Sequence, residues 1–318
     1  ILKYGVANFN EHCRASVMQF RGEWEYYVNR AARWVDFDND YRTMDLSYME
    51  SVMWAFKQLW DKGLVYEAHR VMPYSWGAET PLSNFEIRLD DATRPRQDPA
   101  LTVSFTLDPA PGDPGPMHVL AWTTTPWTLP ANQAVALNAE LGYSLVAGDW
   151  RGRRVALVLA NELVETVAAR VGIENVEVLG EAPGASLEHQ RLKHPFYDRE
   201  VPVVLGEHVT TDAGTGAVHT APGHGEEDFA VGREYDLPVT NPVGPNGVYV
   251  EDTPLVGGQF VWKANTFITE LLEENGVLLH HEPFHHSYPH CWRHKSPTAF
   301  RVTPQWFVSM AAEGLRDD

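Results

Sequence analysis

Leu101-Thr102-Val103-Ser104-Phe105-Thr106-Leu107 alternates large apolar residues with small polar ones, and a period of two is the mark of a β-strand. Just beyond it, Asp108 to Pro116 carries four prolines and two glycines and reads as a loop. The alternation returns at Tyr143 and Leu145, then at Val155 and Leu157. Short helices are expected at about 161–170 and 264–275, the second ending at Gly276. Many short strands with few helices predict an α+β protein, with a mostly β, barrel-like domain over residues 93–285, in preference to a doubly wound α/β sheet.

Working back from that strand, the polar, proline-bearing stretch Asp90 to Pro99 marks a boundary. Residues 10–92 before it read as helical, and 1–92 as a helical connecting segment. Cys13, Val17, Phe20, Trp24, Val28 and Ala31 recur every three or four positions, as one helix face requires. A further helix should start after Asp45, carry Leu46, Met49, Met53, Phe56 and Trp60 on one stripe, and stop at Gly63. Such aromatic faces predict packing against a large surface. From about Val277 the chain becomes rich in histidine and then proline, and 286–318 reads as a return segment that closes no fold of its own. No internal repeat is found.

The chain has 318 residues, 44% of them hydrophobic, enough for two domains with a buried core. No run of about 18 apolar residues offers a membrane span. The start, Ile1-Leu2-Lys3-Tyr4, lacks the charged and apolar regions of a signal peptide, and the missing initiator Met suggests a trimmed chain. Cys13 and Cys291 alone make no disulfide framework, so a reducing, cytoplasmic setting is expected. A formal charge of −18 argues against coating nucleic acid non-specifically. It leaves room for a pocket that receives a single nucleotide end.

Three segments carry candidate chemistry. In Ala121-Trp122-Thr123-Thr124-Thr125-Pro126-Trp127-Thr128-Leu129-Pro130-Ala131-Asn132, a threonine run is ordinary at a strand end. The two prolines, however, force the strand into a stiff loop that presents hydroxyls suited to a sugar or an ester. In Gly214-Thr215-Gly216-Ala217-Val218-His219-Thr220-Ala221-Pro222-Gly223-His224-Gly225-Glu226-Glu227-Asp228-Phe229, the glycines let a ligand approach the backbone. The plain alternative is a solvated turn. A sharper one is a metal site on His219, His224 and Asp228, although their spacing matches no known metal motif. The third segment holds His280, His281, His285, His286, His290, Cys291 and His294. It invites a zinc reading but lacks a partner Cys-x-x-Cys, which favours a surface strand rich in histidine.

The first two segments together resemble the editing-domain signatures of isoleucyl-tRNA synthetases, members of class I. Relatives that edit for valine and leucine place Arg where this chain has Thr125. Ser287 to Arg293 and Thr303 to Phe307 resemble the path back into the synthetic domain, and Trp34 to Tyr41 the path out. Neither His-x-Gly-His nor Lys-Met-Ser-Lys-Ser, the ATP-binding signatures, occurs. In many bacterial members two cysteine pairs near these ends bind zinc; the corresponding positions here are Ser75 and Ala78, and Cys291 with His294. The departure speaks against structural zinc, and no other cofactor is implied.

The resemblance implies hydrolysis of valyl-tRNA(Ile), and of valyl-adenylate, in a pocket too small for isoleucine. One methylene is worth only about 1–3 kcal/mol to a binding pocket; isoleucine against valine is itself the standard illustration of that limit. By resemblance, Asp228 anchors the substrate ammonium, as suits a carboxylate, and His219 lines the side-chain end. Thr123, Thr124, Thr125 and Asn132 orient ester, ribose and attacking water, with Asp228, Thr125 and His219 the catalytic set. Trp122 and Thr128 complete the wall, and Gly216 lets the substrate come close. No Ser-His-Asp arrangement is present, so a positioned water is the expected nucleophile. The implied partners are the tRNA(Ile) 3′ end and the rest of the synthetase.

Overall fold

The computed structural model describes residues 3–109 and 115–311; most of the expected Asp108–Pro116 loop lies outside them. The chain divides into two compact units, Ile1–Tyr66 with Trp306–Asp318, and Glu67–Gln305.

The first unit holds helices α1 (Val6–Met18), α2 (Arg21–Arg30) and α3 (Leu46–Asp61). The stripe expected from Cys13 to Ala31 therefore belongs to two helices, broken at Gln19 and Phe20. Asp45 does precede α3, and Gly63, at φ 70°, follows its end as expected. No residue of these helices is fully buried. Phe56 stacks on Trp306 at 5.5 Å and Tyr66 on Phe307 at the same centroid distance.

Residues 62–92 are not helical. They form β1 (Val65–Ser75), β2 (Thr80–Pro81) and a single 3-10 turn, Glu86–Arg88. Pro73, Pro81, Gly63 and Gly77 break any helical run there, while Val65, Tyr66 and Val71 favour a strand.

The second unit is built on β3 (Thr93–Leu107). Pro95 and Pro99, taken as boundary residues, lie inside this strand. Their edge is covered by β12 (below), where Pro99 faces Pro283 and Pro95 faces Ser287. The remaining elements are β4 (Met117–Thr123), β5 (Ala134–Leu137), β6 (Gly142–Trp150), β7 (Arg153–Ala160), α4 (Val164–Val171), β8 (Glu174–Pro183), β9 (Arg191–Lys193), β10 (Glu200–Leu205), β11 (Val218–Thr220), α5 (Glu226–Glu234), α6 (Val261–Glu274), β12 (Leu278–Pro289) and β13 (Ala299–Val308). A ten-stranded sheet runs in the order β11-β5-β10-β9-β3-β4-β7-β6-β8, with β12 also on β3; β13, β1 and β2 form a second sheet. β10 with β5 and β4 with β7 are parallel, the other registered pairs antiparallel. The α+β class and the two short helices are as expected. The expected barrel-like form is not a closed barrel, because the end strands β11 and β8 of the sheet do not pair.

Leu101, Val103 and Phe105 are fully buried, but so are Thr102 and Ser104 on the opposite face. β3 is thus covered on both sides, with α6 among its neighbours and Ile268 and Leu272 in the shared core. The histidine-rich stretch, far from being only a return path, is β12, which pairs with β3 from Leu278 to Pro289. Among the described residues no helix is long and apolar enough to cross a membrane.

Candidate functional site

β4 ends at Thr123, whose Oγ1 accepts the Thr125 backbone N–H at 3.1 Å. That bond competes with strand pairing and turns the chain. Pro126 then opens a 3-10 turn, Pro126–Ala131, every residue of which is buried. Its fixed φ and lost donor suit a first turn. Two distant groups pin Trp127: its N–H donates to Asn265 Oδ1 on α6 at 3.0 Å, and its carbonyl accepts from the Tyr249 hydroxyl. The turn that carries the hydroxyls is held at both backbone polar groups of one residue.

His219, on β11 opposite Val135, reaches into this turn. Its Nε2 lies 2.7 Å from Thr128 Oγ1 and its Nδ1 3.1 Å from Asn132 Nδ2. The Asn132 amide also donates to Ala134 O at 2.8 Å, so its nitrogen, not its oxygen, faces His219. Nδ1 is therefore the acceptor and Nε2 carries the proton. Nε2–H donates to Thr128, whose own hydroxyl donates to Thr125 O at 2.9 Å. Burial, and secondarily the neighbouring His224, push the His219 pKa down to about 4. His219 is neutral at physiological pH with both nitrogens engaged. It is poorly placed to take a proton.

Thr125 Oγ1 stands 3.4 Å from Thr123 Oγ1 and 3.5 Å from Thr128 Oγ1, so three hydroxyls form one cluster beside the imidazole. Thr124 and Trp122 are half-buried; Trp122 meets Phe284 of β12 edge to face at 5.2 Å.

Asp228 lies in the first turn of α5, where the helix dipole favours a carboxylate. The helix begins inside the segment whose plain alternative was a solvated turn. Asp228 Oδ2 accepts the Ala221 N–H at 2.8 Å, which leaves Oδ1 for a ligand. A Cβ on Gly225 would fall 2.8 Å from the Asp228 carboxyl carbon, so a glycine is required for the side chain to fold back over the helix start. Burial raises the Asp228 pKa, against the Ala221 N–H and His208, which lower it. A half-buried carboxylate of this kind gains most from a cation brought by a ligand.

Gly216 is required by its own surroundings. Its φ is 79°, a Cβ would come within 2.3 Å of Ala160 Cβ, and its carbonyl accepts from the Tyr143 hydroxyl at 2.6 Å. It is buried packing. The alternative metal trio does not form: His219 is committed as above, and His224 Nδ1 donates to Phe300 O at 2.9 Å. Among the described residues no three His, Cys, Asp or Glu side chains gather as metal ligands would.

Sequence reading missed Asn265, Tyr249 and Arg199. Arg199, which lines a 550 Å³ cleft with Pro130 of the turn, donates to the Asn132 carbonyl at 2.5 Å. Of these only Asn265 bore a signal, a lone amide on the buried side of an apolar helix.

A model of the class I tRNA synthetases (I, L, M and V) matches residues 1–318. The Isoleucine--tRNA ligases of Colwellia psychrerythraea, Aliivibrio fischeri and Alkalilimnicola ehrlichii are 44%, 45% and 47% identical over 99%, 99% and 97% of this chain. The chain spans about a third of their length, 34%, 34% and 33%. A solved structure titled "The crystal structure of GlLeuRS-CP1" aligns with a TM-score of 0.45 at 14% identity, over 56% of this chain and 97% of that one. With a family match from the first residue to the last, the chain belongs to the class I tRNA synthetases.

Proposed function

We propose that the second unit hydrolyses mischarged valyl-tRNA(Ile), and valyl-adenylate, as the proofreading site of an isoleucine-specific synthetase. The observation that carries this reading is the wall made by neutral, doubly hydrogen-bonded His219 beside the Thr123–Thr125–Thr128 hydroxyls. Such a wall cannot yield to a larger side chain without breaking two buried hydrogen bonds, which costs about 1–3 kcal/mol for each orphaned group. That adds to the small discrimination a methylene provides.

In this reading Asp228 Oδ1 holds the substrate ammonium, and the threonine hydroxyls orient ester, ribose and water. Water adds to the ester carbonyl carbon, the bond to the ribose oxygen breaks, and that oxygen takes the proton. Valine and a free tRNA 3′ end result. His219 excludes isoleucine without handling a proton. The whole ligase, the tRNA and the cytoplasmic setting enter as the context implied by the ligase relatives.

The test is release of amino acid from valyl-tRNA(Ile) and isoleucyl-tRNA(Ile) by this chain and its Asp228→Ala variant. Selective loss of valine, abolished in the variant, is expected. Equal rates for both esters, or a variant as fast as the parent, would rule the reading out.

A further inference from the structure

Ser75-Trp76-Gly77-Ala78 and Cys291-Trp292-Arg293-His294 are two turns with the spacing at which cysteine pairs hold zinc in many class I relatives. The residues present do not fit that metal. Ala78 has no donor and Ser75 offers a hydroxyl in place of a thiolate, leaving Cys291 and His294 as half of a tetrahedral set. Ser75 and Cys291 are fully buried, so little space remains for outside ligands.

Other bonds hold the turns. Ala78 N–H donates to Ser75 O at 3.2 Å and lies 3.3 Å from Ser75 Oγ; Lys295 N–H donates to Cys291 O at 2.7 Å. Between the turns, Gly77 lies close enough to His294 that a Cβ would sit 3.3 Å from its ring. Each turn carries a tryptophan just after its first position, and each indole reaches across. Trp76 Nε1–H donates to Pro297 O at 3.0 Å, beyond the second turn, and Trp292 Nε1–H to Glu86 Oε1 at 2.9 Å, beyond the first. Trp76 is also wedged edge-on against Phe260 at 4.9 Å.

We propose that these turns form a metal-free clasp, shut by the reciprocal Trp76 and Trp292 hydrogen bonds and the close approach of Gly77 to His294, in the place where relatives use zinc. The clasp keeps the knuckle-like backbone: Cys291 Sγ and His294 Nδ1 are 3.8 Å apart, close to the separation of two ligands on one zinc ion. Two thiols at positions 75 and 78 would complete a four-ligand set.

The experiment measures metal content and Tm for the purified chain, for Trp76→Phe and Trp292→Phe, and for the double variant Ser75→Cys/Ala78→Cys. The parent is expected to carry no stoichiometric zinc and to keep its Tm in chelator. Each Phe variant, which retains the ring, should lower Tm by a few degrees, and the double variant should bind one zinc and lose Tm when chelated. Stoichiometric zinc in the parent, with a chelator-sensitive Tm, would overturn the proposal. So would Phe variants of unchanged Tm, or a double variant that takes no zinc.

Discussion

Thr128 Oγ1 and His219 Nε2 stand 2.7 Å apart, ninety-one positions apart in the chain, and their hydrogen bond runs in one direction only. Because Asn132 donates to the other ring nitrogen, the imidazole gives its proton to Thr128 and Thr128 passes its own to Thr125 O. Thr128→Val keeps the volume but leaves Nε2–H unanswered in a buried site, at a cost of about 1–3 kcal/mol. The wall should loosen. Measured as the ratio of valyl to isoleucyl ester hydrolysis, discrimination should fall about tenfold for a loss near 1.4 kcal/mol, and Thr128→Ser should restore it. An unchanged ratio in Thr128→Val would remove His219 from the wall.

Asp228→Asn separates charge from geometry. The amide oxygen can still accept the Ala221 N–H, so the helix start is preserved while the charge is lost. A charge-assisted bond is worth about 1.5–3 kcal/mol, and valyl-tRNA hydrolysis should drop about 10- to 100-fold, with unchanged Tm. The same carboxylate should set the acid limb of the pH profile. Burial raises its pKa, so activity should fall, as pH is lowered, at a higher pH than for an exposed aspartate. A kinetic profile flat through the acidic range would place the ammonium elsewhere.

Much of the turn over residues 123–132 could be read from residue types, because Thr123, Pro126 and Asn132 act on neighbours a few positions away. Their tight spacing encodes the turn. What holds the turn in place was illegible: Asn265 and Tyr249 come from 138 and 122 positions away and match no local pattern. Pro95 and Pro99 illustrate a related limit. Proline argues against an interior strand only when its edge needs a donor, and β12 accommodates both prolines in register. Likewise, closure of a sheet depends on whether its two end strands meet, which alternation within each strand does not encode. Gly216 shows the limit for single residues, since a glycine required by Ala160 and one required by a ligand look alike in sequence.

Three buried histidines make the second unit acid-sensitive. Burial lowers the pKa of His194 to about 3, and of His219 and His224 to about 4, from 6.5. For such groups the unfolded chain binds protons first. Their contribution is intact above about pH 6.5 and is lost as the pH falls toward the folded values. At pH 5 each costs up to about 2 kcal/mol, taking about 1.4 kcal/mol per pH unit below 6.5. Asp228, with its raised pKa, works in the opposite sense but is one group against three. Urea midpoints should therefore drop steeply between pH 7 and pH 5. A midpoint constant over that range would show that these imidazoles are not buried neutral.

Gly216→Ala tests the packing assignment. The left-handed backbone costs a non-glycine residue about 1–2 kcal/mol, and the Ala160 contact at 2.3 Å forces a shift worth about another 1–3 kcal/mol. Thermal unfolding should reveal a loss of about 3.5 kcal/mol, taken from the middle of those ranges. If Gly216 instead served the ligand, Tm would hold and only the Michaelis constant would rise.

Arg199 offers the most distant handle on the site. Its guanidinium bonds the Asn132 carbonyl at 2.5 Å, and the Asn132 side chain in turn fixes the His219 tautomer. Burial lowers the Arg199 pKa, yet the charge survives with Tyr197 stacked 5.4 Å away. Arg199→Met keeps the apolar stem and orphans the carbonyl, for a stability loss of about 1–3 kcal/mol. Because Asn132 acts through His219, the same variant should relax discrimination against isoleucyl esters while leaving the Michaelis constant for valyl-tRNA nearly unchanged. Arg199→Lys should recover part of both effects. A variant that loses stability alone, with discrimination intact, would confine Arg199 to the scaffold and break the link from this cleft to the wall.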